Sequence, residues 1–265
     1  MKHLERFGAL FDLSGRVAVV TGAAQGNGMG IANALSDAGA TVIATDLKFT
    51  DDECSDKKLY KSIDRMIMDV TDEENVKEIF AGIVTQYGHL DILCNNAGII
   101  YKDLVNNLDL EKFKKVMDVN VDGVVICTKN AVPYMKNNKW GRIVNISSSQ
   151  AFLTTETYSA YAASKAAVSH LTRIWGNELA KDNILVNALC PCFVQTPMMV
   201  NSIARIAEEL GTDTEGGYNY FADLIPLHRL LEIEEIGNWA VMLCGELGNA
   251  TTGSNISITC GQVRL

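Results

Sequence analysis

At 265 residues, with 48% apolar and 21% charged side chains, the chain can hold one large or two small α/β domains, and its composition is that of an ordinary globular protein. Its 32 acidic against 23 basic side chains give a net charge of −9, which disfavours a polyanion such as nucleic acid as partner. No apolar run approaches the ~20 residues of a membrane span, and charges interrupt the first fifteen residues where a secretory leader would be apolar, so a cytoplasmic protein without membrane contact is expected.

Short β-branched runs alternate with longer helical patterns along the chain. RVAVVTG (16–22) and TVIATD (41–46) predict buried strands on either side of a helix over 28–39. The polar stretch 48–64 predicts poor or absent helix. RMIMDV (65–70), LDILCNNAG (90–98), RIVNISS (142–148), ILVNALC (184–190) and NISITCG (255–261) predict five further strands, with helices over 72–87, 109–135 and 158–181. This alternation implies a parallel sheet with helices on both faces, hence one α/β, doubly wound, Rossmann-type domain over 1–265 with a seven-stranded sheet. Residues 192–230 predict an irregular insertion above the sheet, long enough to serve as a substrate lid.

In VVTGAAQGNGMGIANAL, a strand runs through Gly22, Gly26 and Gly28 into a helix. Glycines there allow a tight turn and close approach of a pyrophosphate to the amides at a helix N-terminus. The loop follows the first strand of a doubly wound pattern, where dinucleotides bind. Asp46, at the end of the second strand, stands where a carboxylate would accept hydrogen bonds from the adenosine ribose and repel a 2′-phosphate, which predicts NAD over NADP.

The cysteines 54, 94, 127, 190, 192, 244 and 260 have no framework spacing and predict buried free thiols in a reducing compartment. Cys190 and Cys192 lack a second pair or a nearby histidine to complete a tetrahedral site, so no metal is expected. In YSAYAASK (158–165), Tyr161 and Lys165 share a helix face one turn apart, with Tyr158 a further turn back. Spacing nominates Tyr161 without dismissing Tyr158.

With TGAAQGNG, NNAG at 95–98, NISS at 145–148 and YAASK at 161–165 in this order, the chain resembles the short-chain dehydrogenase/reductase family over essentially its whole length. The resemblance implies catalytic roles for Asn120, Ser148, Tyr161 and Lys165, which decides between the tyrosines. It also implies cofactor contacts from Gln25, Asn27, Leu47, Asp69, Val70, Asn96, Gly98, Val194 and Thr196, beside Tyr161 and Lys165 themselves, and assembly as a dimer or tetramer. Two positions depart from the family pattern: Cys192 replaces a usual glycine, and Asn27 a frequent isoleucine.

A phenol of pKa ~10 is a poor base at neutrality, and Lys165 is expected to lower that value. Tyr161 would then take a hydroxyl proton as hydride leaves carbon, or return it to a ketone, with Ser148 holding the substrate oxygen and Asn120 anchoring a proton relay. For the substrate, IPLHRL and the tail TTGSNISITCGQVRL resemble polyol and sugar dehydrogenases, and Arg205, His228 and Arg229 are candidates for polar or anionic groups. Met198, Met199, Ile203, Ile206, Tyr218, Tyr220 and Phe221 suit either lid packing or a hydroxysteroid or bile acid. A polyol or sugar-type secondary alcohol is the preferred reading. A scaffold that binds the nucleotide without chemistry is expected to lack the serine, tyrosine or lysine, and all three are present.

Overall fold

The computed structural model describes residues 7–49 and 59–263. β1 (Val17–Thr21) leads into α1 (Gly26–Asp37), β2 (Thr41–Asp46), β3 (Asp64–Ile67), α2 (Glu73–Tyr87) and β4 (Ile92–Asn95). α3 (Leu110–Met117), a π-helical turn (Asp118–Asp122) and α4 (Gly123–Asn138) precede β5 (Gly141–Ile146), and α5 (Ser159–Leu179) precedes β6 (Ile184–Pro191). α6 (Pro197–Leu210), α7 (Thr214–Ala222) and α8 (Ile233–Cys244) precede β7 (Asn255–Ile258).

The seven strands form one parallel sheet, as the alternating pattern predicts, and their order is β3-β2-β1-β4-β5-β6-β7. The chain walks outward from β1 to β3 and then returns to place β4 on the other side of β1. The reversal opens a crevice at the C-terminal ends of β1 and β4.

Alternation along each strand divides the core. Ala18 and Val20 pack on one face with Ile31 and Leu35 of α1 and Ile236 and Ala240 of α8. Val17 and Val19 pack on the other with Phe80 and Ile83 of α2 and Ala131 and Met135 of α4. Full burial of such side chains contributes ~1.5–3 kcal/mol each, so both helix layers are fixed by the same few strands.

Several elements depart from expectation. The helix expected over 109–135 is interrupted by the π turn, which directs Asn120 inward to full burial, and it then continues past Pro133 to Asn138. The strand expected over 90–98 ends at Asn95, because the Asn96 and Ala97 amides donate to Thr21 Oγ1 rather than to a neighbouring strand. Residues 192–230 are not irregular. Thr196 and Asp213 cap α6 and α7 by accepting from Met199 N and Gly216 N, and Gly211 ends α6 at φ 64°. Met199, Ile203, Phe221 and Leu230 give these helices a small core of their own. α8, absent from the helices read above, begins with a capping box between Glu232 and Glu235. Within 48–64, residues 50–58, Cys54 among them, lie outside the described residues.

Among the described residues no helix is long and apolar enough to cross a membrane, and no group of His, Cys, Asp or Glu could hold a metal ion. Cys94, Cys127, Cys190 and Cys244 are buried free thiols, while Cys192 and Cys260 are partly exposed.

Candidate active site

A cleft of ≈ 950 Å³ lies along the C-terminal edge of the sheet. Gly22, Gln25, Gly26 and Asn27 line it after β1, Asp46 and Leu47 at the end of β2, and Asp69 and Val70 after β3. Asn96 and Gly98 reach it after β4, Ser148 after β5, and Val194 and Thr196 after β6, while α5 contributes Tyr161 and Lys165. Two expected residues do not line it. Gly28 sits beneath the glycine loop, and Asn120 lies behind Gly98. A larger groove of ≈ 1880 Å³ shares Asp46 and Thr196 but holds none of Ser148, Tyr161 and Lys165, so the catalytic candidates gather in the smaller cleft.

The glycine loop is built for close approach. Gly22 has φ +63°, and a Cβ there would lie 2.8 Å from Ala97 Cα; one on Gly28 would lie 2.2 Å from the Gly22 carbonyl oxygen. Asn96 braces the loop, its Nδ2 donating to the carbonyls of Thr21 at 3.0 Å and Gly22 at 2.8 Å. Asn95, its neighbour, points into the core and donates to Thr128 Oγ1 and Asn145 Oδ1, tying β4 to α4 and β5. The two asparagines of NNAG therefore do different work.

Asp46 is held with its carboxylate facing the crevice: Oδ2 accepts from Ala24 N at 3.0 Å and Oδ1 from Leu47 N at 2.8 Å. Asp69 accepts from the Thr71 amide and hydroxyl, which together hold its carboxyl below the usual range, with a smaller contribution from Lys115. Asn27, which stands where the family often has isoleucine, has its Oδ1 buried without a protein partner. A crowded glycine turn, an oriented carboxylate at the second strand and this orphaned oxygen fit a nicotinamide dinucleotide.

The catalytic candidates converge on α5. Tyr161 and Lys165 lie in one unbroken helix, and Lys165 Nζ is 5.7 Å from the Tyr161 ring centroid. The lysine is 5% exposed and donates to the Ile146 carbonyl at 2.7 Å. A Cβ on Gly98 would lie 3.2 Å from Asn120 Oδ1 and 3.6 Å from Lys165 Nζ, so both groups lie close behind that glycine. Asn120 accepts from Ile99 N and donates to Ile99 O and Ser164 Oγ, which commits its side chain. Ser147 and Ser148 both line the cleft, but the Ser147 hydroxyl is committed to the Lys165 carbonyl and Ser169. Ser147 is thus an anchor for α5.

The electrostatics correct one expectation. Lys165 does not lower the Tyr161 pKa here: burial pushes the phenol up to about 12, the Ser148 hydroxyl pulls the other way, and Tyr158 adds to the rise. Burial also takes the Lys165 ammonium down to about 8, with Cys190 opposing. Desolvation disfavours the charged form of both groups and is the largest cause of each shift.

Tyr158 immediately precedes α5 and forms part of the cleft wall, its ring edge-on to Tyr161 at 6.3 Å between centroids. Met198, Met199 and Phe221 also line the cleft, while Ile203, Ile206 and Tyr218 belong to the lid's packing. Arg205 reaches the wall but is paired with Glu209 at 2.9 Å; His228 faces Asp223, and Arg229 is held by both carboxylate oxygens of Glu235. Lys102 and Gln150 line the cleft and were not among the expected residues. They follow the ends of β4 and β5 by a few residues, with no motif of their own to mark them.

A parallel seven-stranded sheet with a glycine cradle at its switch point and a tyrosine–lysine pair on one helix defines a nucleotide-dependent oxidoreductase. The family model described as enoyl-(acyl carrier protein) reductase matches residues 22–262. The 3-oxoacyl-(acyl-carrier-protein) reductase of Thermotoga maritima is 35% identical, covering 95% of this chain and 99% of its own. The NAD-dependent glycerol dehydrogenase of Listeria innocua is 31% identical, covering 95% of each chain. The ligand-free aldohexose dehydrogenase structure of Thermoplasma acidophilum superposes with a TM-score of 0.84 at 30% identity, covering 94% of each chain. The chain belongs to the short-chain dehydrogenase/reductase family, whose members use a nicotinamide cofactor, and it is an enzyme acting on CH–OH donors.

Proposed function

We propose that the enzyme is an NAD-dependent dehydrogenase interconverting a secondary alcohol and a ketone, with a polyol or sugar derivative as substrate. The observation that carries this reading is the meeting of Ser148, Tyr161 and Lys165 in the cleft that Gly22, Gly26 and Asp46 also line. When bound, the dinucleotide supplies the hydride acceptor or donor.

Ser148 positions the substrate oxygen by a hydrogen bond. Tyr161, protonated at neutral pH, donates to that oxygen when a ketone is reduced and takes its proton when an alcohol is oxidised. Oxidation needs somewhere for that proton to go. Lys165, with a pKa near the working range, is the adjoining acceptor. Since the Asn120 side chain is committed, that residue acts by holding the π turn and Ile99 beside Lys165, and a water relay would run along its main chain. Asp46 selects NAD by receiving the ribose hydroxyls and repelling a 2′-phosphate.

The glycerol and aldohexose dehydrogenases support a polyhydroxylated substrate. The Thermotoga reductase supports a second reading, reduction of a 3-oxoacyl thioester. A hydroxysteroid fits the apolar side made by Phe193, Met198 and Phe221, but the polar wall of Gln150 and Lys102 opposes it. Assembly as a dimer or tetramer through α3, α4 and α5, in the cytoplasm, completes the proposal; Leu110 and Ile174 are exposed apolar residues on these helices. A panel of polyols, aldoses, 3-oxoacyl thioesters and bile acids, followed by nicotinamide absorbance, tests it. Turnover confined to acyl thioesters or bile acids would replace the sugar reading.

A further inference from the structure

Two groups on the polar wall of the cleft have no use in the reaction proposed above. Lys102 is half-buried, lines the cleft and sits over the Tyr158 ring with Nζ 4.3 Å from its centroid. Among the described residues it makes no ion pair, unlike Arg205, which shares the wall. A partly desolvated ammonium resting on a π face retains donors that an anion satisfies best. Gln150, 6% exposed, has an Oε1 that is buried without a hydrogen-bond partner and also lines the cleft. A buried acceptor left open in a site requires a donor, and a hydroxyl supplies one. Gln150 follows Ser148 by two residues, and Tyr158 abuts Tyr161, so both groups flank the reacting position.

We infer that the substrate is an anionic polyol, a sugar acid or sugar phosphate, whose charged group meets Lys102 over Tyr158 while a hydroxyl donates to Gln150 Oε1. This rests on the dehydrogenase reading and adds the class of substrate.

The probes are gluconate and galactonate, the neutral alditols glucitol and galactitol, and glucitol 6-phosphate, each tested as a substrate with NAD. Wild-type enzyme is expected to favour an acid or the phosphate over the neutral alditol by about tenfold to hundredfold in kcat/KM, the scale of one charge-assisted hydrogen bond. The acid and phosphate arms identify which anion is recognised. Lys102→Met is expected to erase the margin through KM, and Lys102→Arg to retain most of it. A margin that survives Lys102→Met, or neutral alditols used as well as the anions, overturns the inference while leaving the reaction in place. Calorimetric titration of Tyr161→Phe protein with gluconate, galactonate and glucitol 6-phosphate in the presence of NADH separates the two proposals. Binding of one of them that depends on Lys102 supports the anion site even if wild-type enzyme oxidises none of the probes, in which case the polyol dehydrogenase reading fails; binding of none overturns the site.

Discussion

Lys165 and Tyr161 stand one turn apart on α5, Nζ 5.7 Å from the ring centroid, yet burial moves their pKa values in opposite directions, the phenol up to about 12 and the ammonium down to about 8. Both shifts favour the neutral form. In the proposed reaction the pair then acts as a proton donor beside a proton acceptor rather than as a phenolate held by a cation.

Alcohol oxidation is expected to follow the lysine. Its kcat/KM rises as pH increases towards about 8, where Lys165 gives up its proton, and levels off above. Initial rates from pH about 6 to about 10 check this, with Lys165→Met lacking the limb. A flat wild-type profile across that window would remove Lys165 from the proton path.

Stability carries the same signature. Between the folded value of about 8 and the unfolded 10.5, the unfolded chain holds more protons at Lys165, so this group makes stability rise with pH through that window and imposes its full cost below it. Lys165→Met is expected to be more stable than wild type at pH 7 by roughly 1–3 kcal/mol, less the lost bond to Ile146. The advantage shrinks as pH approaches about 10, above which ionisation of Tyr161 in the unfolded chain begins to lower stability. Urea unfolding at neutral and alkaline pH measures the difference.

Asn96 should matter to the cradle more than to the core. Asn96→Ala removes the donors to the Thr21 and Gly22 carbonyls, which is expected to cost about 1–3 kcal/mol and to weaken NADH binding with it. Gly28→Ala is harsher, because its Cβ would need the space occupied by the Gly22 carbonyl. Titration of NADH fluorescence reads both, and unchanged affinity in Gly28→Ala would show that the loop is not the phosphate site.

Cofactor choice is expected to turn on Asp46. Asp46→Ala should lower kcat/KM with NAD by about tenfold or more and raise it with NADP, since a carboxylate proposed to receive the ribose hydroxyls would also repel a 2′-phosphate. Ratios of kcat/KM for the two nucleotides decide it. A wild-type preference for NADP contradicts the assignment.

The seven-stranded parallel sheet was legible because short β-branched runs such as Val17, Ala18, Val19 and Val20 alternate with helical patterns, which leaves few topologies; the strand order came only with the structure. The placement of the glycine turn after β1 and of Asp46 at the end of β2 was legible because a tight turn demands glycine and the strand pattern fixes where β2 ends. What was missed depended on tertiary context. The π turn at Asn120 has no sequence period of its own, and the strand expected through Gly98 stops early because Thr21 captures the next amides. The caps of α6 and α7 were present as Thr196-Pro197 and Asp213 but were outweighed by the polar, glycine-containing composition around them. Charge sign alone suggested that Lys165 would ionise Tyr161; only the extent of burial reverses it. Lys102 and Gln150 carry no motif, and the cleft alone brings them to the site.

The most direct measurement is the turnover of Tyr161→Phe with a substrate that the wild-type enzyme oxidises. Loss of the phenolic oxygen is expected to lower kcat by a factor of about 10²–10⁴, with NADH still bound and the fold intact by circular dichroism. Turnover at the wild-type rate would show that the proton leaves by another group, and Tyr161 would then be a wall of the cleft and nothing more.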